Sequence, residues 1–144
     1  MRRKVLGFAA ICGVAAAVAV ACVSTKATIL DPTVRAQAVC PDAVVVFTSA
    51  DKVGKPYTEV ALLNSSGDTD MTSESGMINS QRKKAASLGA NGLILSETRD
   101  AGTGAKVAQA LLGTSANRKG KAVAIYIPDD TARVRQACSA VHSN

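Results

Sequence analysis

Four cysteines, one histidine and scattered acidic and hydroxyl residues are what this 144-residue chain offers for chemistry. Cys40 and Cys138 stand near opposite ends of the segment that follows an apolar leader. In an oxidising compartment such a pair reads most economically as a disulfide, and closing so long a loop is worth roughly 4 to 5 kcal/mol in the chain-entropy account. Free thiols and a redox pair are the alternatives, but the C-x-x-C spacing and histidine neighbours of redox or metal sites are missing. His142, the single histidine, lies on the C-terminal tail, where neither a ligand nor a base is firmly held. Asp68 and Asp70 alternate with small polar residues in Asn64–Asp70, yet the EF-hand glycine and closing glutamate are absent, so a solvated loop is expected. Gly102-Thr103-Gly104 lacks the third small residue of a dinucleotide loop, because Val107 occupies that place. Gly120-Lys121 fails as a phosphate loop because Ala122 replaces the required hydroxyl. No acid, base and nucleophile are paired by spacing, so no catalytic residue, metal site or cofactor is assigned and a non-enzymatic protein is expected.

Cys22 is a different case. Arg2-Arg3-Lys4 precede the apolar run Val5–Val20, and Ala19-Val20-Ala21 lead directly into Cys22. That order of charge, apolar segment and small residues is a secretory signal. Its end resembles the bacterial lipobox, in which signal peptidase II cuts before a cysteine whose thiol carries diacylglycerol; Ala19 stands where that motif usually has leucine. The resemblance implies lipidation of Cys22 by palmitate-type chains. Cleavage by signal peptidase I after Ala19-Val20-Ala21, or an uncleaved anchor, are the other outcomes. The expected division is a signal peptide over 1–21, a lipid tether and linker over 22–39, and one α/β domain over 40–144. Loss of Arg2, Arg3 and Lys4 with the leader takes 17 basic residues to 14 against 11 acidic ones, leaving about +3. So mild a charge, with 3% aromatic residues and no Trp, gives no basis for nucleic-acid binding.

The elements that would position these residues form an α+β domain. Strands are predicted near 43–48, 57–63, 92–98 and 121–127, in a small four-stranded mixed sheet. A covering helix is predicted near 75–88, a short helix near 105–112 and a C-terminal helix near 132–141. The short connection through Gly54 and Pro56 favours antiparallel pairing of the first two strands, and Thr28-Ile29-Leu30 could add a small edge strand. Ser and Thr at 72–75 with Glu74 make a helix start. Ile78, Gln81, Ala85 and Leu88 then share its inner face, and Gly89 supplies the positive φ that closes the helix. Asn91-Gly92 reads as a second turn, and Asn117–Gly120 as another. Arg82, Lys83 and Lys84 on the outer face are either a solvated dipole partner or a contact for an anionic surface or protein partner. In the last helix Val134, Cys138 and Val141 share one side, which aims Cys138 at the core.

Tyr57-Thr58-Glu59-Val60, the helix end Ala85-Ala86-Ser87-Leu88-Gly89-Ala90-Asn91, the strand Gly92-Leu93-Ile94-Leu95 and the strand Ala122–Ile127 together resemble a small domain of bacterial envelope lipoproteins. The similarity is to RcsF-like envelope-stress sensors and to YbjQ-like proteins associated with heavy-metal binding. Gly92 stands where those families often have Ala. The internal disulfide pairs of the stress sensor have no counterpart beyond Cys40 and Cys138, and no metal-ligating set maps onto this chain. The leader, Cys22 and the lack of any paired acid, base or nucleophile lead to the expectation of a membrane-tethered sensor or structural component of the cell envelope, facing the periplasm from the outer membrane, with an envelope protein as partner. A soluble periplasmic module for a small ligand or metal is the alternative.

Overall fold

The strand Thr58–Asp68 alternates with a period of two from Ala61 onward, where Ala61, Leu63, Ser65 and Gly67 are buried and Asn64 is exposed, after an irregularity between Glu59 and Ala61 that leaves Glu59 exposed and Val60 buried. This is β3, the long strand of the sheet. The structure is a computed structural model and describes residues 23–34, 36–68, 72–99 and 117–141. Its other strands are β1 (Ser24–Ile29), β2 (Val45–Phe47), β4 (Gly92–Arg99) and β5 (Asn117–Tyr126), in the spatial order β1-β3-β5-β4-β2. Every neighbouring pair is antiparallel except β2 and β4, which run parallel. Because β3 and β4 are each antiparallel to β5, they are parallel to one another, and helix α1 (Glu74–Ser87) makes the crossover between them. The fold is α+β, with five strands among the described residues in place of the four expected.

Helix α1 starts where its capping chemistry dictates. The Ser73 hydroxyl accepts a hydrogen bond from the Gly76 N–H at 3.1 Å, and Glu74 sits in the first turn at the positive end of the dipole. Its buried residues are Met77, Gln81, Ala85 and Ala86, so the inner face is turned slightly from the one expected. Ala85 and Ala86 join one cluster with Ala61, Leu63, Leu93, Ala122 and Ala124. Small side chains on both layers let the helix lie close to the sheet. Gly89 ends the helix with φ of 79°, and a Cβ there would meet the Ala36 carbonyl oxygen at 2.5 Å. Two demands, left-handed backbone and a crossing chain, fall on one residue.

Several expectations are corrected. The antiparallel hairpin of the first two predicted strands does not form. β2 pairs in parallel with β4, while β3 pairs with β1 and β5. The chain between β2 and β3 is not a tight turn. It passes over the sheet face away from α1, where Val53 and Tyr57 pack on Ile94, Ile125 and Ile127. The stretch 22–39, expected as tether and linker, contributes β1, longer and earlier than the Thr28–Leu30 strand. Asn64–Asp68 and Asn117–Gly120, expected as loops, are paired strand, and Asp68 lies opposite Asn117. Asn91 is not a turn residue but is buried at the head of β4. The C-terminal helix α2 (Thr131–Val141) forms as expected, but Val141 is half exposed rather than packed. The helix expected near 105–112 lies outside the described residues.

Candidate functional site

Cys40 and Cys138 are joined in a disulfide with 5.5 Å between their Cα atoms. Cys40 also donates its N–H to the Cys138 Sγ at 3.2 Å. The bond fastens α2, none of whose residues is fully buried, to the short turn Pro41–Ala43. Cys22 lies outside the described residues, but β1 begins only two positions after it.

The basic cluster read from the helix face is divided. Arg82 turns inward, donating from Nε to the Val44 carbonyl at 3.2 Å with Asp42 3.9 Å away. Lys83 is exposed and Lys84 half-buried. The three do not present one uniform surface, because Arg82 serves the backbone of the chain entering β2.

At the disulfide end a polar bracket ties four segments together. Asp130 accepts from Lys55 Nζ through one oxygen and from Arg133 Nε at 3.0 Å through the other. Arg133 reaches on to the carbonyls of Ala43 at 2.9 Å and Asn91 at 3.4 Å. Asn91, 1% exposed, exchanges two side-chain hydrogen bonds of 2.8 Å with the backbone of Ile127. The Lys55 hydrogen bond, with Arg133 beside it, holds the Asp130 carboxyl below the usual aspartate range against the opposing effect of burial. A lowered folded-state pKa means stability that is present above about pH 4 and lost as pH falls through the lowered value. Urea unfolding of Asp130→Asn is therefore expected to show a flatter acid limb than the parent. The residual slope belongs partly to Asp31, whose pKa is lowered by the Thr33 hydroxyl and N–H. An unchanged acid limb would remove Asp130 from that role.

At the opposite end the sheet face away from α1 carries lysines. Cross-strand register places Ser24, Ser66 and Lys119 in one row and Lys26, Asn64 and Lys121 in the next. All three lysines are exposed, around a depression of about 240 Å³ lined by Ser24, Asn64, Ser66 and the lysines. Sequence reasoning missed this patch because it set Lys26 in a linker and Lys119 in a turn. The two-residue spacing of Lys119 and Lys121, read as strand, was the available signal. A second groove, of about 300 Å³ and mostly apolar, lies between residues 36–39 and α2, beside Tyr126, Val134 and Arg135. Among the described residues no group of three His, Cys, Asp or Glu side chains could hold a metal ion, and no helix is long and apolar enough to cross a membrane.

No family model and no curated protein matches the chain. Among solved structures, the crystal structure of the Francisella virulence factor FvfA is similar over 71% of this chain and 96% of that chain, at 11% sequence identity and a TM-score of 0.49.

Proposed function

We propose that this chain is an envelope lipoprotein, tethered to a membrane through Cys22, that acts by contact as a sensor or structural component rather than by catalysis. The observation that carries the reading is the Cys40–Cys138 disulfide, a bond suited to the oxidising side of a membrane, where the leader ending at Cys22 would deliver the domain. The polar bracket supports the non-catalytic part. Lys55, Asp130 and Arg133 spend their polar atoms on one another and on backbone carbonyls, as a structural clamp does. The resemblance around Leu88–Leu95 to envelope-stress lipoproteins points the same way. With β1 starting at Ser24, a lipid on Cys22 would hold the sheet directly at the membrane and leave almost no tether.

Metabolic labelling with palmitate tests this. The full chain is expected to take up label and enter the detergent phase, and Cys22→Ala to lose both. Labelling and partition unaffected by Cys22→Ala would overturn the tether.

A further inference from the structure

We propose that the lysine-bearing half of the open sheet face lies against anionic lipid headgroups, with Lys26, Lys119 and Lys121 as the contacts. The inference rests on the tether at Cys22 and specifies which face that tether presents. Covalent geometry bounds the distance: two residues of chain reach at most about 7 Å, so a lipidated Cys22 holds the Ser24 end of β1 at the bilayer. Ser24 opens the row that runs through Ser66 to Lys119 and on to Arg99 of β4, and Lys26 opens the row that runs through Asn64 to Lys121. The lysines therefore sit at the same end of the sheet as the anchor, and α1 covers the other face.

The chemistry of the patch suits phosphate. Three ammonium groups surround the Ser24 and Ser66 hydroxyls and the Asn64 carboxamide, which can donate hydrogen bonds to phosphate oxygens between the charges. Asp68, with Asn117, forms the next row outward, and Asp68 already has an interaction of its own. Among the described residues no acidic side chain forms an ion pair with any of the three lysines. Across β1, β3 and β5 the two rows include no aromatic or Met anchor, residue types enriched at protein interfaces, and β4 continues the first row with a further basic position, Arg99. Point charges and small polar groups without such an anchor favour a charged lipid surface over a protein partner. The outer face of α1, with Lys83 and Lys84, belongs to the opposite layer and faces away from that surface.

Sedimentation with vesicles tests the proposal, using the mature chain from position 22 onward, carrying Cys22→Ser so that no lipid contributes. Vesicles containing phosphatidylglycerol are expected to bind it, and vesicles of phosphatidylcholine alone are not. At about fivefold per lysine near an anionic surface, K26Q/K119Q/K121Q is expected to lower partition by about a hundredfold, and added salt to lower that of the parent. Lys83→Gln/Lys84→Gln, which is expected to keep partition within about twofold of the parent, serves as the control. Equal binding to both vesicle types, no loss in the triple variant, or an equal loss in the control pair would overturn the assignment. Competition by free inorganic phosphate would show a soluble-anion site and overturn it as well. Because the test chain carries no acyl group, its failure leaves palmitate labelling of Cys22 untouched, and absent labelling leaves the vesicle result readable.

Discussion

Removal of the Cys40–Cys138 disulfide is expected to lower the unfolding free energy by up to about 4 to 5 kcal/mol, moving the urea midpoint down by about 2 to 4 M. The bond closes a loop with a sequence separation of 98 and thereby restricts the unfolded chain. Its share of the total is large because the core is built from small residues. Among the described residues seven of the buried apolar side chains are alanines: Ala43, Ala61, Ala85, Ala86, Ala90, Ala122 and Ala124. Each removes little area from water, so the sheet and helix gain less per residue than a leucine-rich core would. Against a typical domain stability of about 5 to 15 kcal/mol, the disulfide then decides whether the fold persists. One effect works the other way. With no fully buried residue, α2 can fray once its tie is cut, which returns entropy to the reduced native state and makes the loop estimate an upper bound. Two measurements separate these contributions. Cys40→Ala/Cys138→Ala should match the reduced parent and ignore added reductant, and amide exchange should rise across 131–141 before it rises in β4 and β5. A midpoint that barely moves on reduction would show that the bracket at Asp130, rather than the disulfide, holds the C-terminal segment.

The parts of the fold that were legible in the sequence are those decided by neighbours in the chain. Ser73, Glu74 and Gly89 mark the ends of α1 because caps are local chemistry, and Leu93-Ile94-Leu95 reads as a buried strand from its length and composition. The disulfide followed from cysteine arithmetic once Cys12 and Cys22 were set aside. What was hidden depends on distant partners. Asn64-Ser65-Ser66-Gly67 has the composition of a loop, yet Ser65 is buried under α1, accepting from Gln81 at 2.8 Å and donating to the Gly120 carbonyl at 3.2 Å. Those partners, 16 and 55 residues away, turn a polar run into strand. Gly120 follows the same logic: a Cβ there would meet Met77 and Ser65 at 3.1 Å, so it is a packing residue where a turn was expected. The lysine rows were invisible for the same reason, since register across β1, β3 and β5 is what assembles them. Arg82 shows the converse error. Helical spacing put it on a charged face, but its reach to Val44 depends on where β2 enters the sheet.

Asn91→Ala is expected to cost about 2 to 4 kcal/mol, because a single side chain completes the pairing of β5 where β4 has not yet begun. Asn91 Oδ1 accepts from the Ile127 N–H and Nδ2 donates to the Ile127 carbonyl, while its own N–H donates to the Ile125 carbonyl at 3.1 Å. The amide thus stands in for one more residue of strand. Truncation leaves the buried Ile127 N–H without a partner, at about 1 to 3 kcal/mol, and takes from the Ile127 carbonyl one of its two donors, the Asp130 N–H at 3.2 Å remaining, at about 1 kcal/mol. Two further variants separate hydrogen bonding from packing. Asn91→Leu restores volume but neither bond, so it should be no more stable than Asn91→Ala; recovery in the leucine variant would mean that packing, not hydrogen bonding, was lost. Asn91→Asp keeps an acceptor for the Ile127 N–H but sets a carboxylate oxygen against the Ile127 carbonyl in a site that is 1% exposed. Burial and that facing oxygen raise its folded-state pKa, so the folded form binds the proton more tightly than the unfolded form. Stability of Asn91→Asp should therefore be higher near about pH 5 than near about pH 7 and fall as pH rises through the raised value, whereas Asn91→Ala stays level across that interval. A pH-independent Asn91→Asp variant would mean that water reaches the site and that the side chain does not close the sheet.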